Sequence, residues 1–244
     1  MAQHGTSRTL ILGLSSVVAT FSVWAQPVNF TDNFSPPSSL WNSLTGNWTA
    51  SAGDYYAQNP NNSPFALTVL PLDLSNYSLT VQVNNLADSG ILVRSNGSSN
   101  YVLLVLGGLG YGQGIRSSVA GTGIYWADSS NPNATTNLVT NVFTPGGTYS
   151  ITVTAVGDTF SAYINGASTP VTTITDAAGG ASGMVGLYDD QPNTTHGGSG
   201  TPTSYSKFSL SGTEVPLPSS AWLLLGALSG LGMISRRRTG HSVA

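Results

Sequence analysis

Apolar and polar positions alternate along much of the chain. The clearest stretch is residues 148–156, TYSITVTAV, and residues 74–86 repeat it through Tyr77, Leu79, Val81 and Val83. A period of two puts every apolar side chain on one face of a strand. Each stretch therefore predicts a half-buried antiparallel strand. Residues 89–95 (SGILVRS) and 101–106 (YVLLVL) are more continuously apolar and flank Asn96-Gly97-Ser98-Ser99-Asn100. Asn-Gly between two apolar runs is a hairpin signal. The same reading places strands at 28–34, 55–58, 65–70, 159–164, 183–188 and 205–210. Shorter strands or extended segments are expected at 115–118, 123–127, 138–143 and 171–175. Residues 128–137 read as a polar loop, and Ser211-Gly212 as the end of the domain. No 12-residue window in this part of the chain carries helical periodicity. Many short strands with regular turns predict an all-β sandwich or barrel.

Both ends of the 244-residue chain break the pattern. Arg8 precedes an apolar run from Leu10 to Val23, and Val23-Trp24-Ala25 fits a small-x-small cleavage site. This is the pattern of a secretory signal peptide, residues 1–25. At the other end, Val215-Pro216-Leu217-Pro218 precedes an uncharged apolar run and then Arg236-Arg237-Arg238. About 18 such residues approach the length of a membrane-spanning helix, and the arginines would stay on the cytoplasmic side. The body between the ends, residues 26–213, is expected to be one domain.

Composition narrows the chemistry. The body from 26 to 214 holds Arg94, Arg116 and Lys207 against nine Asp and Glu214, a formal net charge of −7. An acidic surface with so few cations excludes nucleic acid as a partner, since phosphate binding needs clustered Lys and Arg. The chain has no Cys. Disulfides, thiolate metal sites and Cys nucleophiles are thereby excluded.

The C-terminal stretch resembles the PEP-CTERM sorting signal of Gram-negative bacteria, in a Val-Pro-Leu-Pro form. That resemblance implies recognition by an exosortase-type membrane protease, passage through an inner-membrane intermediate, and delivery to the cell surface or extracellular matrix. The body resembles the concanavalin A-like, or laminin G-like, jelly-roll superfamily. The pieces that carry this are SGILVRS with YVLLVL, GTYSITVTAVGDTFSAYINGA, GMVGLY and the final YSKFSLSG. It implies an antiparallel two-sheet jelly-roll sandwich, with a flavour close to 3-keto-disaccharide hydrolase-like domains.

Glycoside hydrolysis normally needs two carboxylates roughly 5 to 10 Å apart. No strand carries an Asp-x-Asp pair, and no Glu precedes Glu214. The sequence therefore leans away from a catalyst. Asp189-Asp190 is the one adjacent acidic pair and opens a loop containing His196. It is the candidate metal site, with Ca²⁺ as the cofactor its oxygens would suit; plain turn chemistry explains the same residues. Arg94, Arg116, Tyr101, Tyr125 and Trp126 are the candidate ligand-binding residues. The resemblance puts an Arg at the position of Arg94 on the concave sheet, and aromatic faces beside polar donors suit sugars. The competing reading pairs Arg94 with a body Asp and packs the aromatics in the core. Three functions stay open: a noncatalytic polysaccharide-binding surface protein, a glycan-active hydrolase, and a purely structural matrix component.

Overall fold

A computed structural model describes residues 25–60, 65–97, 100–108, 121–129, 131–177, 180–190 and 202–215, with only the backbone of 131–135. The described strands are β1 (Gln26–Asp32), β2 (Asn42–Thr45), β3 (Trp48–Ser51), β4 (Asp54–Ala57), β5 (Ala66–Asn84), β6 (Ser89–Ser95) and β7 (Val102–Leu106). They continue as β8 (Ile124–Asp128), β9 (Asn131–Val139), β10 (Tyr149–Val156), β11 (Thr159–Ile164), β12 (Thr172–Thr175), β13 (Gly183–Asp189) and β14 (Ser204–Glu214). Every pairing among them is antiparallel. Among the described residues no helix is long and apolar enough to cross a membrane. The expected signal peptide and the tail from Pro216 onward, including Leu217, Pro218, Arg236, Arg237 and Arg238, lie outside the described residues.

β5 belongs to both layers of the sandwich. Its first part pairs with β2 and β13, and β13 leads on to β6, β7, β8 and β9. Its second part pairs with β10 and β14; β11 and β12 follow β10, and β1 follows β14. The sequence reading divided this element at 70 and 74, whereas it is one 19-residue strand. Pro71 sits in it without breaking it because Pro71 is exposed at the passage between layers, where a missing N–H costs no central ladder bond.

The main core lies between the layers. Leu79, Val81, Ile151, Val153, Phe160 and Leu210 meet Ile91, Val93, Leu104, Trp126, Val185 and Leu187 there. A second cluster covers the opposite face of β5, β13, β6, β7 and β8, through Leu67, Val69, Leu92, Tyr101, Leu103, Val105, Tyr125 and Tyr188. The strands of that layer are thus buried on both faces, which accounts for the continuous apolar runs SGILVRS and YVLLVL. The β10 layer is buried on one face and alternates. β13 threads between β5 and β6 at Gly186, where a Cβ would stand 2.1 Å from the Thr68 carbonyl oxygen.

Two boundaries differ from expectation. Residues 131–139 form β9 on the edge of β8, although the polar composition of 128–137 suggested a loop. An edge strand needs only backbone partners, so its side chains need not be apolar. β14 runs past Ser211-Gly212 to Glu214, because its second half is held by β1 on one side and β5 on the other.

Arg94 ties the sandwich together from inside. It is fully buried, with φ of 50°. Its Nη1 donates to the Gly180 carbonyl at 2.6 Å, and its Nη2 to those of Ser75 at 2.6 Å and Gly157 at 2.5 Å. Asp158 Oδ1 lies 3.6 Å from Nη1, and the guanidinium sits over the Phe160 ring at 5.2 Å. Three separate segments therefore depend on one side chain. Arg94→Ala should lower stability by about 3 kcal/mol, because buried carbonyls lose their donors. In a domain of this size that corresponds to roughly 6–12 °C in Tm. Arg94→Lys should recover only part of it, since an ammonium lacks the planar fork. Differential scanning calorimetry of the two variants measures both; an Arg94→Ala protein as stable as wild type would remove this role.

Candidate functional site

The structure distributes the sequence-derived candidates over different places. Arg94 is committed to backbone carbonyls and Asp158, so it is a structural tie and not a sugar-facing donor. Trp126 is fully buried in the main core, 6.1 Å from Phe160 between ring centroids. The alternation of β8 turns it inward while Tyr125 faces the second cluster. Tyr125 and Tyr101 do share a face, yet both are buried, at 5% and 6% exposure. Their rings pack within the second cluster, and Tyr101 meets Phe65 edge-on. A sugar would find no open aromatic platform in this set. Arg116 and His196 lie outside the described residues.

Asp189 and Asp190 also separate. Asp189 ends β13 and is fully buried beside Tyr205, whose phenol it helps to push up after burial itself. Asp190 instead joins Asp88: its N–H donates to the Asp88 carbonyl at 3.1 Å. Successive residues of a strand face opposite ways, so adjacency in sequence does not make Asp189-Asp190 one site. Among the described residues no group of three or more His, Asp or Glu gathers.

The pair Asp88–Asp190 was not visible from sequence spacing. Asp88 stands at the short connection between β5 and β6, and Asp190 immediately after β13; β6 and β13 are hydrogen-bonded neighbours. Both are buried, at 3% and 5% exposure, and Oδ1 of each finds no hydrogen-bond partner among the described residues. Burial raises the pKa of Asp88 well above the usual carboxylate range, and the charge of Asp190 raises it further. Burial raises Asp190 too, against a hydrogen bond from Tyr188 that favours its charged form. Tyr188 is in turn pushed up by burial, then by Asp88 and Asp190. Gly108 completes the surroundings. A Cβ there would lie 2.8 Å from the Tyr125 hydroxyl and 2.9 Å from Asp88 Oδ1, so only glycine leaves this space clear. The one usable sequence signal was an Asp placed directly ahead of a strand buried on both faces.

A second feature is the outer face of the β10 layer. Cross-strand registers align Asn29, Ser211, Ser78, Thr154, Ser161 and Thr173 in one row across six strands. A neighbouring row holds Thr31, Ser209, Thr80, Thr152 and Tyr163. These side chains are half-buried or exposed, and none of them is charged. Hydroxyl pairs fix parts of the array: Thr80 with Thr152 at 2.8 Å and Ser161 with Thr173 at 3.0 Å. At the β1–β14 edge an open groove of about 600 Å³ is lined by Phe30, Thr31, Asn33, Pro36, Lys207 and Ser209, among others. Asp32 shapes that edge by accepting from the N–H groups of Phe34 and Ser38, both at 2.7 Å, and from Trp41 Nε1 at 2.9 Å.

The raised carboxylates predict a pH dependence. A group whose pKa is higher folded than unfolded takes up a proton on folding. Its stabilising effect is complete below the unfolded value, near 4, and is lost as pH rises through the folded one. Metal-free protein should therefore lose stability as pH rises from about 4 toward neutrality, through the raised range of Asp88 and Asp190. Asp88→Asn should flatten this slope and be the more stable protein at neutral pH. Urea titrations across that range test it; equal slopes for the two proteins would contradict the assignment.

Neither protein-family models nor curated proteins gave a match to the chain. Solved structures do match. One is a protein of unknown function with a galectin-like fold from Bacillus subtilis, with a TM-score of 0.52 at 9% identity, covering 79% of this chain and 100% of that one. Another is lectin II from Ulex europaeus, with a TM-score of 0.51 at 11% identity, covering 78% and 99%. A third, the carbohydrate-binding module CBM66 from Bacillus subtilis, gives 0.49 at 11% identity, covering 72% and 96%. At such identities the likeness concerns fold, and the fold is an all-β antiparallel sandwich of the lectin and galectin kind.

Proposed function

We propose that the protein is exported, is held at the cell surface or in the extracellular matrix through its C-terminal tail, and binds a neutral polysaccharide. The observation that carries the binding reading is the hydroxyl-bearing outer face of the β10 layer. Hydroxyls both donate and accept, which is what a polyhydroxyl chain offers in return. Neighbouring strands lie roughly 4.8 Å apart, so each row repeats its hydroxyls at about that interval, close to the length of one sugar unit in an extended glycan. Rows without a charged side chain suit a neutral glycan; among the described residues Asp54 and Lys207 stand beside them, Asp54 accepting from Asn84 and Ser204 and Lys207 donating to Gln82 at 2.8 Å.

The export reading rests on the signal-peptide pattern and on the likeness of residues 215–238 to a PEP-CTERM signal. Geometry is compatible with both. Gln26, the first residue after the expected cleavage, pairs with Glu214 directly before the tail. The partner implied for the tail is an exosortase-type membrane protease.

Asp88–Asp190 favours a second reading. Two neighbouring carboxylates with raised pKa values are what an acid catalyst of glycan cleavage needs. In this reading the protein is a glycan-active hydrolase, and Asp88 acts on the glycosidic bond.

One experiment separates the readings. The detergent-solubilised protein is run through gels containing neutral or acidic polysaccharides, and reducing ends are assayed on the same mixtures. Binding alone should be seen, stronger for neutral chains. The double variant Thr80→Val, Thr152→Val should weaken it about tenfold, or roughly 1.4 kcal/mol, with Tm nearly unchanged. Release of reducing ends that disappears in Asp88→Asn would replace the binding reading with the hydrolase. For the tail, alanine in place of Val215-Pro216-Leu217-Pro218 should leave the protein in the inner-membrane fraction; unchanged surface display would reject the sorting reading.

A further inference from the structure

We infer that Asp88 and Asp190 together hold one hard divalent cation of the calcium class. The inference goes beyond the polysaccharide reading and does not depend on it, since the pair and the hydroxyl rows are different parts of the fold.

The argument begins with the cost of burial. An ionised carboxylate taken out of water must be paired or must give up its charge. Both carboxylates are almost wholly buried, and the Oδ1 atoms of both are without donors among the described residues. The described cations are occupied elsewhere: Arg94 by carbonyls and Asp158, Lys207 by Gln82. Among the described residues, protons or a cation can neutralise the pair. Protons remove the charge and leave the oxygens without ligands. A divalent cation balances both charges, and it uses the oxygens that lack donors.

The surroundings fit the cation. The backbone bond from Asp190 N to the Asp88 carbonyl fixes the two residues side by side across β6 and β13. Tyr188 hydrogen-bonds Asp190 and orients it, the outer-shell role that carboxylate ligands commonly require. Asp88 Oδ1 and the Tyr125 hydroxyl border the space that Gly108 leaves open. Among the described residues the side-chain polar atoms bordering this space are oxygens, the preference of Ca²⁺, which takes six to eight of them. Two carboxylates supply the charge, and carbonyls, water or ligand hydroxyls would fill the other positions. His and Cys, which would select zinc, are absent from the described surroundings.

The test uses the full chain in detergent micelles after removal of metal by a chelator, with no saccharide present. Tb³⁺, which replaces Ca²⁺ at oxygen sites, is titrated while its emission is excited through tyrosine; Tyr125 and Tyr188 stand at the site. The expected result is a saturable signal with one ion per chain, displaced by Ca²⁺, together with a rise in Tm on adding Ca²⁺ alone. Asp88→Asn and Asp190→Asn should each weaken Ca²⁺ binding at least tenfold, whereas Asp73→Asn should leave it unchanged. Either isosteric variant suffices if the other folds poorly. Absence of both the emission and the Tm rise would overturn the inference and leave neutralisation by protons. So would a signal that survives both variants. Saccharide binding by the metal-free protein is read separately, so either reading can fail without the other.

Discussion

The sandwich depends on one strand serving two layers. β5 supplies the second neighbour of β13 in one layer and of β10 in the other. At about 3.3 Å per residue its 19 residues reach roughly 60 Å, enough to cross one layer, bend and cross the next. The register irregularity opposite Gly183 and Val185 falls at this bend, between Leu70 and Leu74. Bulges increase local twist and bend the strand that carries the extra residues; that strand is β5, where four steps from Leu70 to Leu74 oppose two from Val185 to Gly183. Without Cys, no disulfide joins the layers. The shared strand and the core between its two halves carry that task.

Two charged side chains of the domain, Arg94 and Asp32, are spent on the backbone. Arg94 gathers carbonyls from three segments, and Asp32 gathers N–H groups from the turn that follows β1. Each acts where the chain leaves regular pairing and its polar groups would otherwise be stranded. Trp41 joins the second of these ties through its indole N–H and packs its ring on Phe34, Tyr55 and Phe208. Polar anchoring and aromatic packing thus hold the same turn. Asp88 and Asp190 stand apart from this economy, because they are buried and have Oδ1 atoms that tie nothing down. That contrast is the reason to look for a ligand there.

Much of the fold was legible. Alternation found β10, β11 and the second half of β5 because one face of that layer is open to water. It also held finer information than was extracted. The continuous runs of β6 and β7 already meant burial on both faces, and hence a second cluster behind the sheet. β9 escaped because an edge strand is fixed by its neighbour's backbone and leaves little side-chain pattern. The sites fared differently. Arg94, Tyr101, Tyr125 and Trp126 were selected by chemical type, and the structure uses them for packing and anchoring. Asp189 and Asp190 were selected by adjacency, which a strand's alternation defeats. Asp88 and Asp190 are 102 positions apart in the chain, and only the pairing of β6 with β13 makes them neighbours.

The strand β14 also relates the two proposed activities in space. Thr203, just before it, holds the β5–β6 connection: its hydroxyl accepts the Ala87 N–H at 3.1 Å and donates to the Asn85 carbonyl at 3.3 Å. Its other end, Glu214, leads to the tail. The 11 residues of β14 put these ends roughly 36 Å apart. The carboxylate pair adjoins the first end, since Asp88 follows Ala87. The hydroxyl rows run across β14 and not along it. A glycan lying in them would cross β14 sideways and meet the domain without competing with the buried pair. An ion at Asp88–Asp190 would then act on stability at the far end of the sandwich, through β6 and β13, while the outer face stays free for its ligand.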